Sequence, residues 1–139
     1  PQVLQVEIHP YNTQSYLCRY CEEKNIYVTG FSPLGAGSYV ELNMATTSQS
    51  ALLEEVVVDI SKKRGVSPGQ VILKWGLQQG RSVIPKTTKK ERLIENIELF
   101  SFDLTEQEMA SISSLNKNMR FNDPGEFTQG MNSFFPIYD

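Results

Sequence analysis

One histidine, His9, and two cysteines, Cys18 and Cys21, are all the imidazole and thiol in this 139-residue chain, so a zinc site has no ligand set to draw on. The cysteines have C-x-x-C spacing but fall inside a helical segment, not at a helix N-terminus after a strand. Reduced, buried thiols are expected there. No apolar run approaches the roughly 18 residues of a membrane helix. No basic-then-apolar leader precedes Pro1. No membrane partner and a cytoplasmic location are expected. An excess of one charge is missing too. Thirteen basic against sixteen acidic side chains leave a net −3, which argues against a general nucleic-acid surface but not against one local anion pocket. The glycine fingerprint of a Rossmann domain is also absent: Gly35-Ala36-Gly37-Ser38-Tyr39-Val40 fails at its third glycine and runs on as loop.

What is present reads as a globular α/β chain, 40% hydrophobic and 21% charged, long enough for a real core. Val3 to Ile8 is strand-like. A helix follows over about Gln14 to Lys24, with Leu17, Tyr20, Cys21 and Tyr16 inward. Ile26 to Phe31 is a second strand. A β–α–β unit of about 28 residues implies parallel strands, since a hairpin needs no such crossover. Residues 32 to 50 are rich in Gly, Ser, Thr and Asn and read as a long loop. Leu52, Leu53, Val56, Val57 and Ile60 recur at helical spacing as far as Gly65. Ser67 and Pro68 open another helix, carrying Val71, Ile72 and Trp75, which Gly80 ends. Thr105 to Glu108 is a capping box with Leu104 and Met109 placed as a staple, and residues 117 to 139 read as an extended tail.

The most informative stretch is Ile84-Pro85-Lys86-Thr87. Ser82-Val83-Ile84 reads as a buried strand that Pro85 ends, and Thr88-Lys89-Lys90-Glu91 has capping-box spacing, so a helix with Leu93, Ile94 and Ile97 on its apolar face begins there. Lys86 and Thr87 then sit on the bend feeding a helix N-terminus, where free N–H groups and the helix dipole favour an anion. Lys86 adds a point charge, Thr87 a hydroxyl, and Arg92 a planar fork one turn on. By local chemistry alone these residues are either a phosphate site or a solvated basic face.

Ile84-Pro85-Lys86-Thr87 followed by Arg92, Glu95 and Asn96 resembles the coenzyme-binding segment of the aldo-keto reductases. So do Gln5-Val6-Glu7-Ile8-His9-Pro10-Tyr11 and Ser32-Pro33-Leu34-Gly35. Arg120-Phe121-Asn122-Asp123-Pro124 and the aromatic tail look like the xylose reductase or sugar-phosphate reductase branch. The resemblance implies the C-terminal part of a (β/α)8 TIM barrel, about three βα units plus a tail, with roughly five preceding strands absent. Pro1 as first residue fits a segment of something longer. Across 1–139 the implied division is nicotinamide-side strands in 1–31, a clasp loop in 32–50, helices in 51–80, the 2′-phosphate strand and helix in 81–100, and a C-terminal helix and substrate-loop tail in 101–139.

The resemblance further implies that Lys86, Thr87, Thr88 and Arg92 hold the 2′-phosphate of NADPH, with NADH possible, and that Glu95 and Asn96 contact the adenine. Gln5 would bind the nicotinamide carboxamide, or else is a strand polar residue bonded to a neighbour. Phe31 would stack on the nicotinamide, or else is a core aromatic. Ser32, Leu34, Ala36 and Ser38 would belong to a clasp over the pyrophosphate. The tail, with Asn122, would line the pocket for a small-molecule carbonyl such as an aldehyde or aldose. His9 is read as structural. The family's proton donor is a Tyr supported by Lys, His and Asp from the first four strands, and no Tyr here stands in a matching motif. The expectation is an NADPH-dependent reductase as a full-length protein, whose 139-residue segment turns over no carbonyl by itself. A non-catalytic binding or scaffold protein on the same fold, and a truncated chain, stay open.

Overall fold

In a computed structural model, which describes residues 1–123, three parallel strands form one sheet in the order β1 (Val3–Glu7), β2 (Tyr27–Phe31), β3 (Ser82–Ile84). Helix α1 (Ser15–Glu23) makes the first crossover. The second is longer and holds a one-turn helix α2 (Gly37–Val40), two 3-10 turns, α3 (Glu55–Arg64) and α4 (Pro68–Gln78). After β3 come α5 (Lys90–Ile97) and α6 (Glu106–Ser113).

Registration sorts the strand residues by face. Gln5 stands opposite Thr29, Glu7 opposite Phe31, and Phe31 opposite Ile84, so these share one face with Val3, Tyr27 and Ser82. Leu4, Val6, Ile8, Val28, Gly30 and Val83 share the other and lie beneath the helices. The first face is largely open: Val3, Gln5, Tyr27, Ser82 and Ile84 are all exposed. Glu7 is the exception, for a reason given below. Behind the covered face, Trp75, Ile72 and Val71 of α4 pack in one cluster with Val57 and Ile60 of α3 and Ile112 of α6. The indole Nε1 donates to Ser113 Oγ at 2.9 Å.

The helix starts follow from capping chemistry. Ser67 Oγ accepts from the Gln70 amide at 3.3 Å while Gln70 Oε1 accepts from the Ser67 amide at 2.9 Å, with Pro68 at the first helical position. Thr105 and Glu108 repeat the box on α6. Glu108 also takes Arg64 at 2.6 Å and Lys63 at 3.2 Å, tying α6 to the end of α3. Helix α4 meets β3 closely at Gly76, where a Cβ would stand 2.7 Å from Val83 Cγ1.

Several expectations are corrected. Tyr16 and Tyr20 do not face inward: they are 79% and 54% exposed, because the buried stripe of α1 runs through Leu17, Cys18 and Cys21, and neighbouring positions turn away by about 100°. The two thiols are free, Cys21 buried and Cys18 half-buried. Leu52 to Ile60 is not one helix. Ala51–Leu53 is a 3-10 turn and Glu54 is extended, so α3 starts at Glu55 and Leu53 is left exposed. The loop over 32–50 contains α2 and a 3-10 turn, Thr47–Gln49, closed by reciprocal Thr46 and Gln49 bonds. Of the extended tail, residues 117–123 carry no helix or strand, and 124–139 lie outside the described residues.

Candidate functional site

Strands β2 and β3 end side by side, Phe31 against Ile84, and the segments leaving them diverge around a groove of about 550 Å³. One wall is Phe31, Ser32, Leu34 and Glu41. The other is the bend from Ile84 to Lys89, completed by Arg92 from the first turn of α5. Seven residues expected to serve a coenzyme therefore lie around one cavity: Phe31, Ser32, Leu34, Lys86, Thr87, Thr88 and Arg92. Lys89, not singled out from sequence, joins them.

The bend is built differently from the capping box that the sequence suggested. Thr88 does not cap α5. Thr87 Oγ1 accepts from the Lys89 amide at 3.1 Å, a local turn that moves the helix start one residue on. Lys89 becomes the N-cap, extended at φ −97° and ψ 125°, and no side chain caps the first turn. Glu91 then lies too early in the helix to reach back. The helix N-terminus keeps amide donors without a side-chain acceptor, and the groove beside it is lined by three cations and one acid, Glu41, while Glu91 lies in the first turn of α5 itself. Among the described residues no carboxylate forms an ion pair with Lys86, Lys89 or Arg92.

Most of the other expected contacts lie elsewhere. Ala36 does not line the groove: its methyl is fully buried in the core cluster, because the chain turns into α2 there. Ser38 is on α2. Glu95 and Asn96 sit one turn further along α5, half-buried and off the groove wall. Gln5 is exposed on the open sheet face that also carries Phe31, one strand away. Asn122 is half-buried, and its amide N–H donates to Glu7 Oε2 at 3.1 Å.

That last bond belongs to an anchor that the sequence reading missed. Glu7, 2% exposed, accepts from His9 Nε2 at 2.9 Å, from the Phe121 amide at 2.8 Å and from the Asn122 amide. Burial by itself would raise the Glu7 carboxyl, but these bonds and the nearby imidazole overcome it and hold the group below its ordinary value. His9 is fully buried beside Glu7. The Phe121 ring lies 5.1 Å from His9 and stacks on Tyr39 at 5.9 Å, and the Tyr39 hydroxyl meets Ser32 Oγ at 2.8 Å. A single chain of contacts thus joins the end of β1, the C-terminal segment and the groove wall. The signal available in sequence was a lone acid in the apolar run Val3 to Ile8.

No group of three or more potential metal ligands gathers among the described residues. No helix among them is long and apolar enough to cross a membrane.

Residues 1–117 match the model of the aldo/keto reductase family. The NADPH-dependent aldose reductase GRE3 of Saccharomyces cerevisiae is 42% identical over 142 residues, covering 99% of this chain and 42% of the relative. The NAD(P)H-dependent D-xylose reductase of Scheffersomyces stipitis is 45% identical over 129 residues, 91% of this chain and 41% of the relative. Among solved structures, an aldo-keto reductase enzyme from a Medee basin deep-sea metagenome library superposes with a TM-score of 0.75 at 31% identity, over 86% of this chain and 41% of that one. A Gox0644 variant in complex with NADPH gives 0.71 at 34%, over 84% and 38%. The chain spans about two fifths of the length of the curated relatives it matches. The likeness bears out the expected α/β class, the C-terminal part of a (β/α)8 barrel. The open sheet face is the one such a barrel turns inward.

Proposed function

Because the chain belongs to the aldo/keto reductase family, we propose that it provides the coenzyme groove of an NADPH-dependent reductase acting on an aldehyde, an aldose or a related small carbonyl. The observation that carries this reading is the convergence of Lys86, Lys89 and Arg92 on one groove at an uncapped helix N-terminus, none of them in an ion pair with a carboxylate of the described residues. Unpaired cations at converging positions suit a phosphate dianion. The site fits a nucleotide carrying a phosphate on its ribose. Lys86, Thr87, Thr88 and Arg92 would hold that phosphate, Glu95 and Asn96 would approach the base from the next turn, and Ser32 and Leu34 would face the linking phosphates. Phe31 and Gln5 share the sheet face that would receive the nicotinamide.

When bound, the coenzyme supplies a hydride for carbonyl reduction. This chain's own part is to bind and orient. Its buried tyrosines are committed elsewhere: the Tyr11 hydroxyl donates to Glu54 at 2.6 Å and that of Tyr39 pairs with Ser32. Burial and the Glu54 carboxylate push the Tyr11 phenol above its ordinary value, away from ready proton donation. On this reading the proton donor would come from other parts of the full-length protein, and these 139 residues alone are expected to reduce no carbonyl. Asn122, whose backbone amide is held by Glu7, would offer its side-chain amide to substrate hydroxyls.

Fluorescence titration of the full-length protein with NADPH and NADH tests the reading. Each charge-assisted bond to phosphate contributes about 1.5–3 kcal/mol, so Lys86→Ala and Arg92→Ala should each weaken NADPH at least about tenfold and leave NADH nearly unchanged. Equal affinity for both coenzymes in wild type and both variants would refute the assignment.

A further inference from the structure

A second cavity, of about 600 Å³, lies where β2 and β3 begin, at the opposite end of these strands from the groove. Cys18, Arg19 and Glu22 of α1 border it, Ile26 and Val28 form an apolar wall, and Arg81 closes it. Arg81 is the unusual member. It is only 9% exposed, yet it makes no ion pair among the described residues. Its Nη1 donates to the Thr13 carbonyl at 3.2 Å, and its Nε has no partner. The guanidinium also lies 5.8 Å from the centroid of the Trp75 ring.

Buried charges are ordinarily paired, because desolvating an isolated ion is costly. A carbonyl dipole, a ring face and the nearby C-terminal end of α4 offset part of that cost, but none carries a full negative charge. Arginine stays protonated at neutral pH, so the cation cannot escape by titrating. We propose that this cavity is an anion site, taking a small organic monocarboxylate whose oxygens meet Arg81 and whose apolar body lies against Cys18, Ile26 and Val28. The charges around it decide the valence. Arg19 and Arg81 set against Glu22 leave one net positive charge, which suits a monoanion and disfavours a phosphate dianion. The inference is independent of the coenzyme reading, since the two cavities share no residue.

The test uses full-length protein carrying ¹⁵N-arginine, with the Arg81 Nε–H resonance assigned by its loss in Arg81→Lys. Benzoate should shift that resonance saturably, and inorganic phosphate should do so at least tenfold more weakly. Cys18→Phe fills the cavity while keeping the cation, and it should weaken benzoate at least tenfold. Absence of a saturable shift from benzoate, tighter binding of phosphate, or unchanged benzoate affinity in Cys18→Phe overturns the proposal. NADPH titration of the same samples reports the groove separately.

Discussion

Replacing Glu7 by glutamine changes one atom type at the point where the C-terminal segment is fastened to β1. Oε1 serves both His9 and the Phe121 amide, and Oε2 serves Asn122. The amide's best arrangement keeps its oxygen in the Oε1 place, which leaves its NH2 facing the Asn122 N–H, donor against donor. One charge-assisted bond is lost, and the two that survive weaken because the acceptor is neutral. With about 1.5–3 kcal/mol for a bond to a charged group and the Glu7 carboxylate almost fully buried, Glu7→Gln should destabilise the protein by about 2–4 kcal/mol. Urea unfolding of the full-length protein at neutral pH measures this. Tryptic cleavage after Arg120 should also accelerate, because Phe121 and Asn122 lose their hold. The pH dependence follows from the depressed folded-state carboxyl. The stabilisation is fully present above the unfolded-state value and is lost as pH falls through the lower folded-state value. An acid-labile step present in wild type should vanish in the variant. A stability change below about 0.5 kcal/mol, the scale of an ordinary surface substitution, with unchanged cleavage would show that the anchor does not hold the segment.

Gly76→Ala should cost about 1–3 kcal/mol despite alanine's better helix propensity, because the new Cβ meets Val83 Cγ1 at 2.7 Å; adding Val83→Ala should restore most of it, as thermal unfolding of the double variant would report. Burial opposes ionisation of Glu108, but Arg64, the Thr105 amide and Lys63 more than offset it and draw the carboxyl down from 4.5 to about 2. The tie between α3 and α6 is therefore complete above about pH 4.5 and lost between there and about pH 2. Discounted for the exposure of Lys63, its removal in Glu108→Gln should cost about 1–2 kcal/mol at pH 7 and less than about 0.5 kcal/mol at pH 2.

The parts of the fold that were legible depend on short stretches of chain. The strand positions, the Ser67 and Thr105 caps and the Gly65 and Gly80 stops are each specified within a few residues and stand where the sequence put them, but β3, expected to be buried, leaves Ser82 and Ile84 exposed on the open sheet face. Grouping Lys86, Thr87 and Arg92 needed only a bend and one helical turn, and those three line one groove. Errors arose where two local options compete. Thr87 and Thr88 both offer a hydroxyl to nearby amides. Only the backbone path after Pro85 decides that Thr87 takes the Lys89 N–H, so the helix starts late. Ala51 to Glu55 has an unbroken helical pattern in sequence, yet the chain breaks at Glu54, whose carboxylate is held by Tyr11 and Lys117 from distant segments.

The anchor at Glu7 and the buried Arg81 share a different kind of illegibility. Glu7 and Asn122 are 115 positions apart, and Arg81 reaches a carbonyl 68 positions before it, so no window of sequence contains both partners. In a parallel sheet every such meeting passes through a crossover, and which side chain lies beside which depends on register summed over all three strands. Composition does leave one trace. A charged residue inside an apolar run is costly to bury, so Glu7 among Val6 and Ile8 had to be either exposed or met by donors. Its register opposite Phe31 places it on the open face, where exposure was the simpler outcome. Two amides and an imidazole from beyond the strand make it the buried one, and the same chain of contacts fastens the groove wall to the C-terminal segment.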